Sequence, residues 1–231
     1  MAKLTLYELS LSEGRTVSPF VWRTRFCVAH KGLEAERIPI SYHDKDQLVF
    51  SGQDRVPVLV DGDAVISDSW KIACYLEEAY PERPSLFGSA EGQGAGLMIN
   101  KFCDHVLLGS MFLLCTPGTY DVTQDEDKPY FAQSRQEWTG MTIDGIRAME
   151  AEALKRVRSS LEPIRQTLAE QPFLSGEAPA FADYCVMGGF MWARTTYKHQ
   201  VLEPDDPVEA WRQRMLDLFD AMGRKTLSLE A

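Results

Sequence analysis

The stretch "RVPVLVDGDAVISDSWKIACYLEEAY", residues 55–80, determines the fold that we predict. Two runs of β-favouring residues, 58–60 and 64–66, flank Asp61-Gly62, a dipeptide typical of a two-residue hairpin turn. Residues 69–80 then follow a helical pattern, which a proline ends. The stretch therefore predicts a β-hairpin that leads directly into a helix.

The residues before this stretch alternate between strand and helix patterns. The segment 3–9 alternates apolar and polar residues as a half-buried strand does, and 18–32 has near-helical apolar spacing with a glycine stop. Residues 36–41 resemble a second strand, and 43–53 a short irregular or helical piece. This order predicts an α/β sandwich with part of its sheet parallel.

The residues after the stretch change character. Segment 81–96 is rich in Pro, Gly and Ser, and its glycines do not have the spacing of a phosphate-binding loop, so we predict a flexible linker. Segment 116–129 is acidic and contains Pro and Gly, which predicts an exposed loop. The helical patterns cover residues 96–115, 142–170, 182–198 and 207–223. We therefore predict an α/β domain at 1–82, a linker at 83–95 and an all-helical domain at 96–231.

Composition argues against several classes of protein. The 231 residues carry a net charge of −10, which argues against nucleic acid and anionic membranes as partners. The five cysteines are widely spaced and form no C-x-x-C, so we expect no disulfide framework. The start of the chain resembles a strand rather than a signal peptide, and no run reaches about 18 uninterrupted apolar residues. We expect a cytoplasmic protein.

Metal and hydrolase chemistry have little support in the sequence. The histidines His30, His43, His105 and His199 are scattered, and no H-x-x-x-H occurs. The "CDH" at 103–105 has suitable residue types, but adjacent residues on a helix point in different directions and cannot meet at one metal ion. No G-x-S-x-G is present to anchor a catalytic triad. We predict no metal.

Three short motifs combine an ordinary structural role with a possible binding role. Ser18 before Pro19 has the pattern of a helix cap, yet a helix start with a hydroxyl also stabilises a thiolate. Val56-Pro57 is either an ordinary strand entry or a cis-proline turn that exposes the Val56 backbone. In the pair Asp68-Ser69, Ser69 either caps the following helix or forms part of a site that binds a carboxylate. Together they suit a short thiol peptide with a terminal carboxylate.

Longer segments around these three motifs resemble those of a known protein family. Residues 55–87 are similar to the Val-Pro strand, hairpin and acidic-Ser helix start of cytosolic glutathione S-transferases. Segment 16–32 resembles the first helix of serine-type members, in detail that of bacterial lignin β-aryl etherases and fungal etherase-like transferases. Segment 179–193 resembles a helix start of the second domain. The resemblance implies a thioredoxin-like first domain, a helical second domain and a homodimer.

The resemblance also implies roles for residues at the glutathione side. Ser18 would hold the glutathione sulfur as a thiolate. Val56, before a cis Pro57, would pair with the cysteinyl backbone. Asp68 and Ser69 would bind the γ-glutamyl end. The glycyl end is assigned to Arg55, where relatives often have Lys or Gln, and more weakly to Gln47 or Lys45.

Some residues compete with these roles or depart from the family pattern. Tyr7 on the first strand lies near the position of the catalytic hydroxyl in tyrosine-type members, and Thr16 shares the loop of Ser18. Ala180 stands where relatives carry a capping side chain before Asp183, which predicts a helix end weaker by about 1 kcal/mol. Position 18 is not cysteine, which counts against a thiol-reducing member, and we expect Cys27 in the core.

The electrophile site is expected between the two domains. Aromatic and Met side chains there would suit a flat phenolic substrate. The candidates are Met111, Phe112, Tyr120, Phe131, Trp138, Met191, Trp192 and Tyr197. The sequence thus predicts a glutathione transferase acting on hydrophobic aromatic substrates, with β-aryl ether cleavage as one activity. The alternatives are a non-catalytic aromatic-ligand-binding protein and, with less support, a thiol reductase that uses Cys27.

Overall fold

The computed structural model describes residues 4–229. The α/β part follows the predicted order of elements, with the 3₁₀ segment Asp44–Ser51 before the hairpin. Its elements are β1 (Leu4–Leu9), α1 (Pro19–His30), β2 (Ala35–Ile40), β3 (Val58–Asp61), β4 (Ala64–Ser67) and α2 (Ser69–Ala79). The strand order is β2-β1-β3-β4, with β1 and β2 parallel and the other pairs antiparallel. The predicted partly parallel sheet is confirmed.

The remainder of the described chain is helical, as predicted. Its helices are α3 (Ala90–Phe102), α4 (Leu108–Asp121), α5 (Lys128–Thr139), α6 (Ile143–Arg147), α7 (Glu150–Ser160), α8 (Glu162–Glu170), α9 (Phe181–Thr196) and α10 (Pro207–Ala221). A π-helical turn, Cys103–Leu107, joins α3 to α4. The fold class, a thioredoxin-like α/β part followed by an all-helical part, is confirmed.

Two local predictions differ from the structure in extent. Residues 83–89 of the predicted linker lie outside helices, but α3 begins at Ala90, where Ser89 caps it by accepting a hydrogen bond from the Gly92 N–H at 3.1 Å. The predicted exposed loop at 116–129 is helical up to Asp121 and again from Lys128. Several of its side chains are buried, namely Thr116, Pro117, Thr119, Thr123 and Asp127.

The continuous helical stretch Ala90–Asp121 is long and apolar enough to cross a membrane by length and composition. Its α4 segment packs against α6, α7 and α9. These contacts are those of a core helix in a helical bundle.

Helix α1 joins the two parts of the molecule. Its packing against α9 is the most extensive contact between any two elements. The Phe26 ring of α1 stacks on Tyr184 of α9 with centroids 5.5 Å apart. The two helices approach closely at Gly188, where an added Cβ would lie 2.5 Å from the Pro19 carbonyl oxygen. The start of α1 is therefore positioned by the helical part as well as by the sheet.

The start of α9 shows how the chain tolerates Ala180 at its cap. The Asp183 carboxylate accepts hydrogen bonds from the Ala180 N–H at 3.2 Å and from the N–H groups of Leu174 and Ser175. It also accepts from the Trp211 indole at 2.8 Å. Asp183 is fully buried, so its four donors replace solvent.

Candidate functional site

Ser18 is the N-cap of α1 and is 8% exposed. Its Oγ accepts a hydrogen bond from the Val21 N–H at 3.3 Å. A serine hydroxyl has two lone pairs and one proton, so this cap leaves its proton free for another acceptor. The structural role and the thiolate-binding role of Ser18 are therefore compatible at the same atom.

The loop before Ser18 is held against the helical part. The Ser12 N–H donates to the Val122 carbonyl at 3.1 Å, and Arg15 donates to the Thr195 carbonyl at 3.3 Å. Gln124 donates to the Ser10 carbonyl at 3.3 Å. The predicted thiolate site thus lies where the sheet, α4 and α9 meet.

The two competing hydroxyls have other neighbours. Tyr7 packs against Phe50, with ring centroids 5.0 Å apart. The Thr16 Oγ1 accepts from the Arg25 guanidinium at 2.9 Å, and Thr16 is more buried than Ser18. Arg25 is also paired with Glu8 at the end of β1. Ser18 is thus the hydroxyl of the three that begins a helix.

The Val56-Pro57 peptide bond is cis, as the sharper interpretation of the sequence expected. Pro57 is buried, and Val56 lies before the first residue of β3, so its backbone is not used by that strand's pairing. The Arg55 side chain is 89% exposed and lies 3.9 Å from Asp54.

Asp68, rather than Ser69, caps α2. Its Oδ1 accepts from the N–H groups of Trp70 and Lys71 at 3.0 and 3.1 Å. Its φ of 80° lies in the left-handed region, which Asp tolerates better than most residues. Ser69 is the first helical residue and is buried, with its Oγ accepting from Arg23 at 3.2 Å. The suggestion that Ser69 caps the helix is wrong.

A buried network behind Ser69 was not found in the sequence. The Arg23 guanidinium, from α1, also donates to Asn100 Oδ1 at 2.7 Å and to Asp104 Oδ1 at 3.0 Å. Asn100 donates to the second Asp104 oxygen at 2.7 Å. Arginine only donates, so the Ser69 hydroxyl keeps its proton for an acceptor. Asp104 lies on the π-helical turn and is 23% exposed. The sequence signal was an arginine on the predicted buried side of a helix.

The two glycyl-end candidates from the loop differ in their contacts. Gln47 is exposed and donates to Asp44 at 3.2 Å. Lys45 donates to the Tyr130 hydroxyl at 2.6 Å, which ties this loop to α5. Tyr42 reinforces that contact, since its N–H donates to Asp127.

The structure brings part of the electrophile set together. Phe112 lies 4.5 Å from Trp138 and 6.4 Å from Trp192 between ring centroids. Tyr120 lies 6.4 Å from Phe131. We refer to Phe112, Trp138, Trp192, Tyr120 and Phe131 as the aromatic cluster.

The other electrophile candidates belong to the core. Met111 and Met191 are fully buried, and Tyr197 is 8% exposed and donates to Glu150 at 2.8 Å. The expectation that Met111 contacts the substrate is corrected by the structure, because core packing encloses its side chain. Phe131 is also buried, at 1% exposed, and takes part in the cluster through its contact with Tyr120. Cys27 is also fully buried, and burial raises the pKa of its thiol well above the ordinary value. A nucleophilic role for Cys27 is disfavoured.

Other possible sites lie away from Ser18. One cavity of about 120 Å³ is bordered by α4, α6 and the end of α9. A second, of about 410 Å³, lies between α1, β2 and residues 219–227. Ser18, Val56 and Asp68 line neither of them. Within residues 4–229, no group of three or more His, Cys, Asp or Glu side chains is placed to hold a metal ion.

Family profiles match both parts of the chain. Residues 97–221 match "Glutathione S-transferase, C-terminal domain", and residues 14–84 match "Glutathione S-transferase, N-terminal domain". The first match alone covers more than half of the chain.

Two individual proteins match this chain over different lengths. A glutathione S-transferase-like protein, ustS, of Aspergillus flavus is 30% identical over 160 residues, which cover 64% of this chain and 54% of that protein. Glutathione S-transferase Z1 of Arabidopsis thaliana is 45% identical over 69 residues, 28% of this chain and 31% of that one. The matches thus span about half, or less, of these relatives.

Among solved structures, a glutathione S-transferase of Ceriporiopsis subvermispora crystallised with glutathione superposes with a TM-score of 0.80 at 21% identity, covering 94% of this chain and 96% of that one. Glutathione transferase GSTFuA3 of Phanerochaete chrysosporium gives the same TM-score and identity, with 95% and 96% covered. These neighbours establish the fold.

Proposed function

The chain belongs to the glutathione S-transferase family, and we propose that it uses Ser18 to hold glutathione as a thiolate for attack on aromatic electrophiles. The observation that carries the proposal is the Ser18 hydroxyl, which caps α1 as an acceptor and retains a proton to donate. The positive end of the α1 helix dipole adds a favourable field for an anion.

The expected activation can be sized. One charge-assisted hydrogen bond contributes about 1.5–3 kcal/mol, which corresponds to about one to two units of thiol pKa. The free thiol has a pKa of about 8.5, so this shift brings the pKa of the bound thiol to about 7.

We propose the remaining glutathione contacts from the family resemblance. The backbone of Val56, set by the cis Pro57, would pair with the cysteinyl unit. Asp68 and Ser69 at the α2 start would take the γ-glutamyl end: the Ser69 hydroxyl can donate to its carboxylate, and the carboxylates of Asp68 and Asp104 can accept from its ammonium group. The glycyl end would reach Arg55 and the loop of Gln47.

The aromatic cluster supports an aromatic substrate. The thiolate would form a carbon–sulfur bond while the leaving group departs with its electron pair. In β-aryl ether cleavage the leaving group is a phenolate, which then takes a proton from water. We propose this etherase activity as the finer function, together with a homodimeric state and a cytoplasmic location.

The test compares bound-thiol titrations in the wild-type protein and in Ser18→Ala, followed by the ultraviolet absorbance of the thiolate. We expect the wild-type sulfur to ionise about one to two units below free glutathione, and Ser18→Ala to lose most of that shift. Thr16→Ala and Tyr7→Phe are the matched controls and should retain it. A shift that survives in Ser18→Ala but disappears in Tyr7→Phe would overturn the assignment.

Substrate class needs a second measurement. Glutathione consumption is followed with β-aryl ether compounds and with chloro-dinitroarene conjugation substrates. Turnover of the ethers supports the etherase proposal, and conjugation without ether cleavage restricts the function to conjugation. Binding of both without any turnover would favour the non-catalytic alternative.

A further inference from the structure

Arg135 on α5 is a half-buried arginine without an acidic partner. Its guanidinium carbon lies 4.3 Å from the Phe131 ring centroid and 5.9 Å from that of Phe112. Its one hydrogen bond from the side chain, to Ser134 Oγ, is 3.1 Å long. Among residues 4–229, no carboxylate forms an ion pair with it, although the chain has 34 acidic and 24 basic residues. The guanidinium is thus available to an external anion.

The two rings under Arg135 belong to the aromatic cluster. Phe112 connects it to Trp138, which is 72% exposed, and to Trp192. Phe131 connects it to the α/β part, since the Tyr42 ring lies 5.7 Å away. Burial raises the pKa of Tyr42 to about 12 against an opposing effect of the Arg135 charge, which places the two groups within electrostatic reach. Arg135 therefore lies where the two parts of the molecule meet around the cluster.

The contacts of Arg135 leave most of its donors free. A guanidinium is planar and carries five N–H donors in its plane, and the one side-chain hydrogen bond of Arg135, to Ser134, uses a single donor. The edge of the guanidinium matches the two oxygens of a carboxylate. Because the rings exclude water from one face, a charge-assisted hydrogen bond there is stronger than on an open surface.

We propose that Arg135 binds the carboxylate of an aromatic electrophile whose ring lies against Phe112 and Trp138. The preferred substrates of this chain are then aryl carboxylates rather than neutral aryl compounds. The inference rests on the proposed transferase function, of which it names the substrate class.

The first test is a binding measurement that does not need catalysis. Quenching of tryptophan fluorescence gives the affinities of 3,5-dinitrobenzoate and of its neutral amide for the full chain. We expect Arg135→Met to weaken benzoate binding about tenfold, or about 1.4 kcal/mol, and to leave amide binding unchanged. Equal benzoate affinity in the wild-type and Arg135→Met proteins would overturn the proposal.

Arg214→Met is the matched control. The Arg214 guanidinium also lies over a ring, 5.5 Å from the Phe173 centroid, and donates to a backbone carbonyl of Pro172. It lies on α10, away from the cluster. A benzoate affinity lowered equally by both substitutions would mean a general charge effect and would also overturn the proposal.

The second test follows turnover of 4-chloro-3,5-dinitrobenzoate and its amide. The glutathione sulfur bonds to the carbon that carries chlorine, and chloride leaves with the bonding pair. We expect Arg135→Met to raise KM for the benzoate about tenfold with kcat little changed, and Arg135→Lys to restore only part of the loss. A raised KM for glutathione would assign Arg135 to the tripeptide side and contradict the inference.

The two proposals fail separately. If the wild-type protein conjugates neither the benzoate nor the amide, the transferase function fails, while the binding measurement still decides on Arg135. If the amide reacts and the benzoate is not preferred, the transferase function stands and the carboxylate site is rejected.

Discussion

Gly188 offers a test of the claim that α9 positions the start of α1, where Ser18 lies. In Gly188→Ala, the new Cβ would lie 2.5 Å from the Pro19 carbonyl oxygen and 3.3 Å from its carbon. Ordinary contacts begin at 3.4 Å, and both partners are backbone, so the helices must separate by about 1 Å. Pro19 directly follows Ser18, and the displacement therefore reaches the proposed thiolate donor.

The size of the effect follows from geometry. A misplacement of about 1 Å costs up to about 100-fold in rate, and overpacking of this kind costs about 1–3 kcal/mol of stability. We expect Gly188→Ala to lower kcat/KM by about 10- to 100-fold and to raise the pKa of bound glutathione toward that of free glutathione. Unfolding in urea, turnover of a conjugation substrate and the bound-thiol titration measure the three quantities.

Gly94→Ala is the control, because Gly94 is also helical but has no atom within 4 Å of its added Cβ. That substitution should stabilise α3 by up to about 1 kcal/mol and leave activity unchanged. If Gly188→Ala were as stable and as active as Gly94→Ala, the close approach of α9 would not position α1, and the reasoning would be refuted.

Three further predictions concern buried charges. Arg23→Met should lower the free energy of unfolding by about 3 kcal/mol, because Asp104 loses its cationic partner, and should raise KM for glutathione; wild-type kinetics would contradict a link to the γ-glutamyl site. Asp183→Ala should cost about 3–5 kcal/mol in urea unfolding, since four donors lose their acceptor, and a cost below about 1 kcal/mol would refute this. Burial raises the pKa of Glu77, but hydrogen bonds, first from Lys31, outweigh it and leave the pKa below its ordinary value. Its folded-state pKa is depressed, so its stabilisation is present above about pH 4.3 and lost as pH falls further; Glu77→Gln should flatten that slope in acid titrations.

Short-range signals accounted for most of the α/β part. The Asp61-Gly62 turn is formed with Gly62 at φ 58°, and β3 and β4 pair around it as predicted. The α1 cap at Ser18 was also visible, because cap residues act within one turn. Such elements are predictable since their determinants lie within a few residues of each other.

Determinants distant in the chain were missed. Helix α5 carries few apolar residues and an acidic, proline-bearing start, so its first residues were predicted as part of a loop and the others as no element, yet it packs its buried Phe131 against Tyr42. Arg23 and Asp104 are 81 positions apart, and no local pattern reveals their pairing. The Pro117 inside α4 suggested a helix end, but the residue is buried in the bundle, where packing offsets its cost.

The position of α1 between sheet and α9 limits how this molecule can be recombined. A chimera that joins residues up to α2 with the helical half of a relative would set Phe26 and Pro19 against a foreign surface. Even with a well-formed junction after α2, the helix that begins at Ser18 would then pack poorly against its new neighbour. Grafting experiments should transfer α1 and α9 as one unit, whatever boundary the sequence suggests.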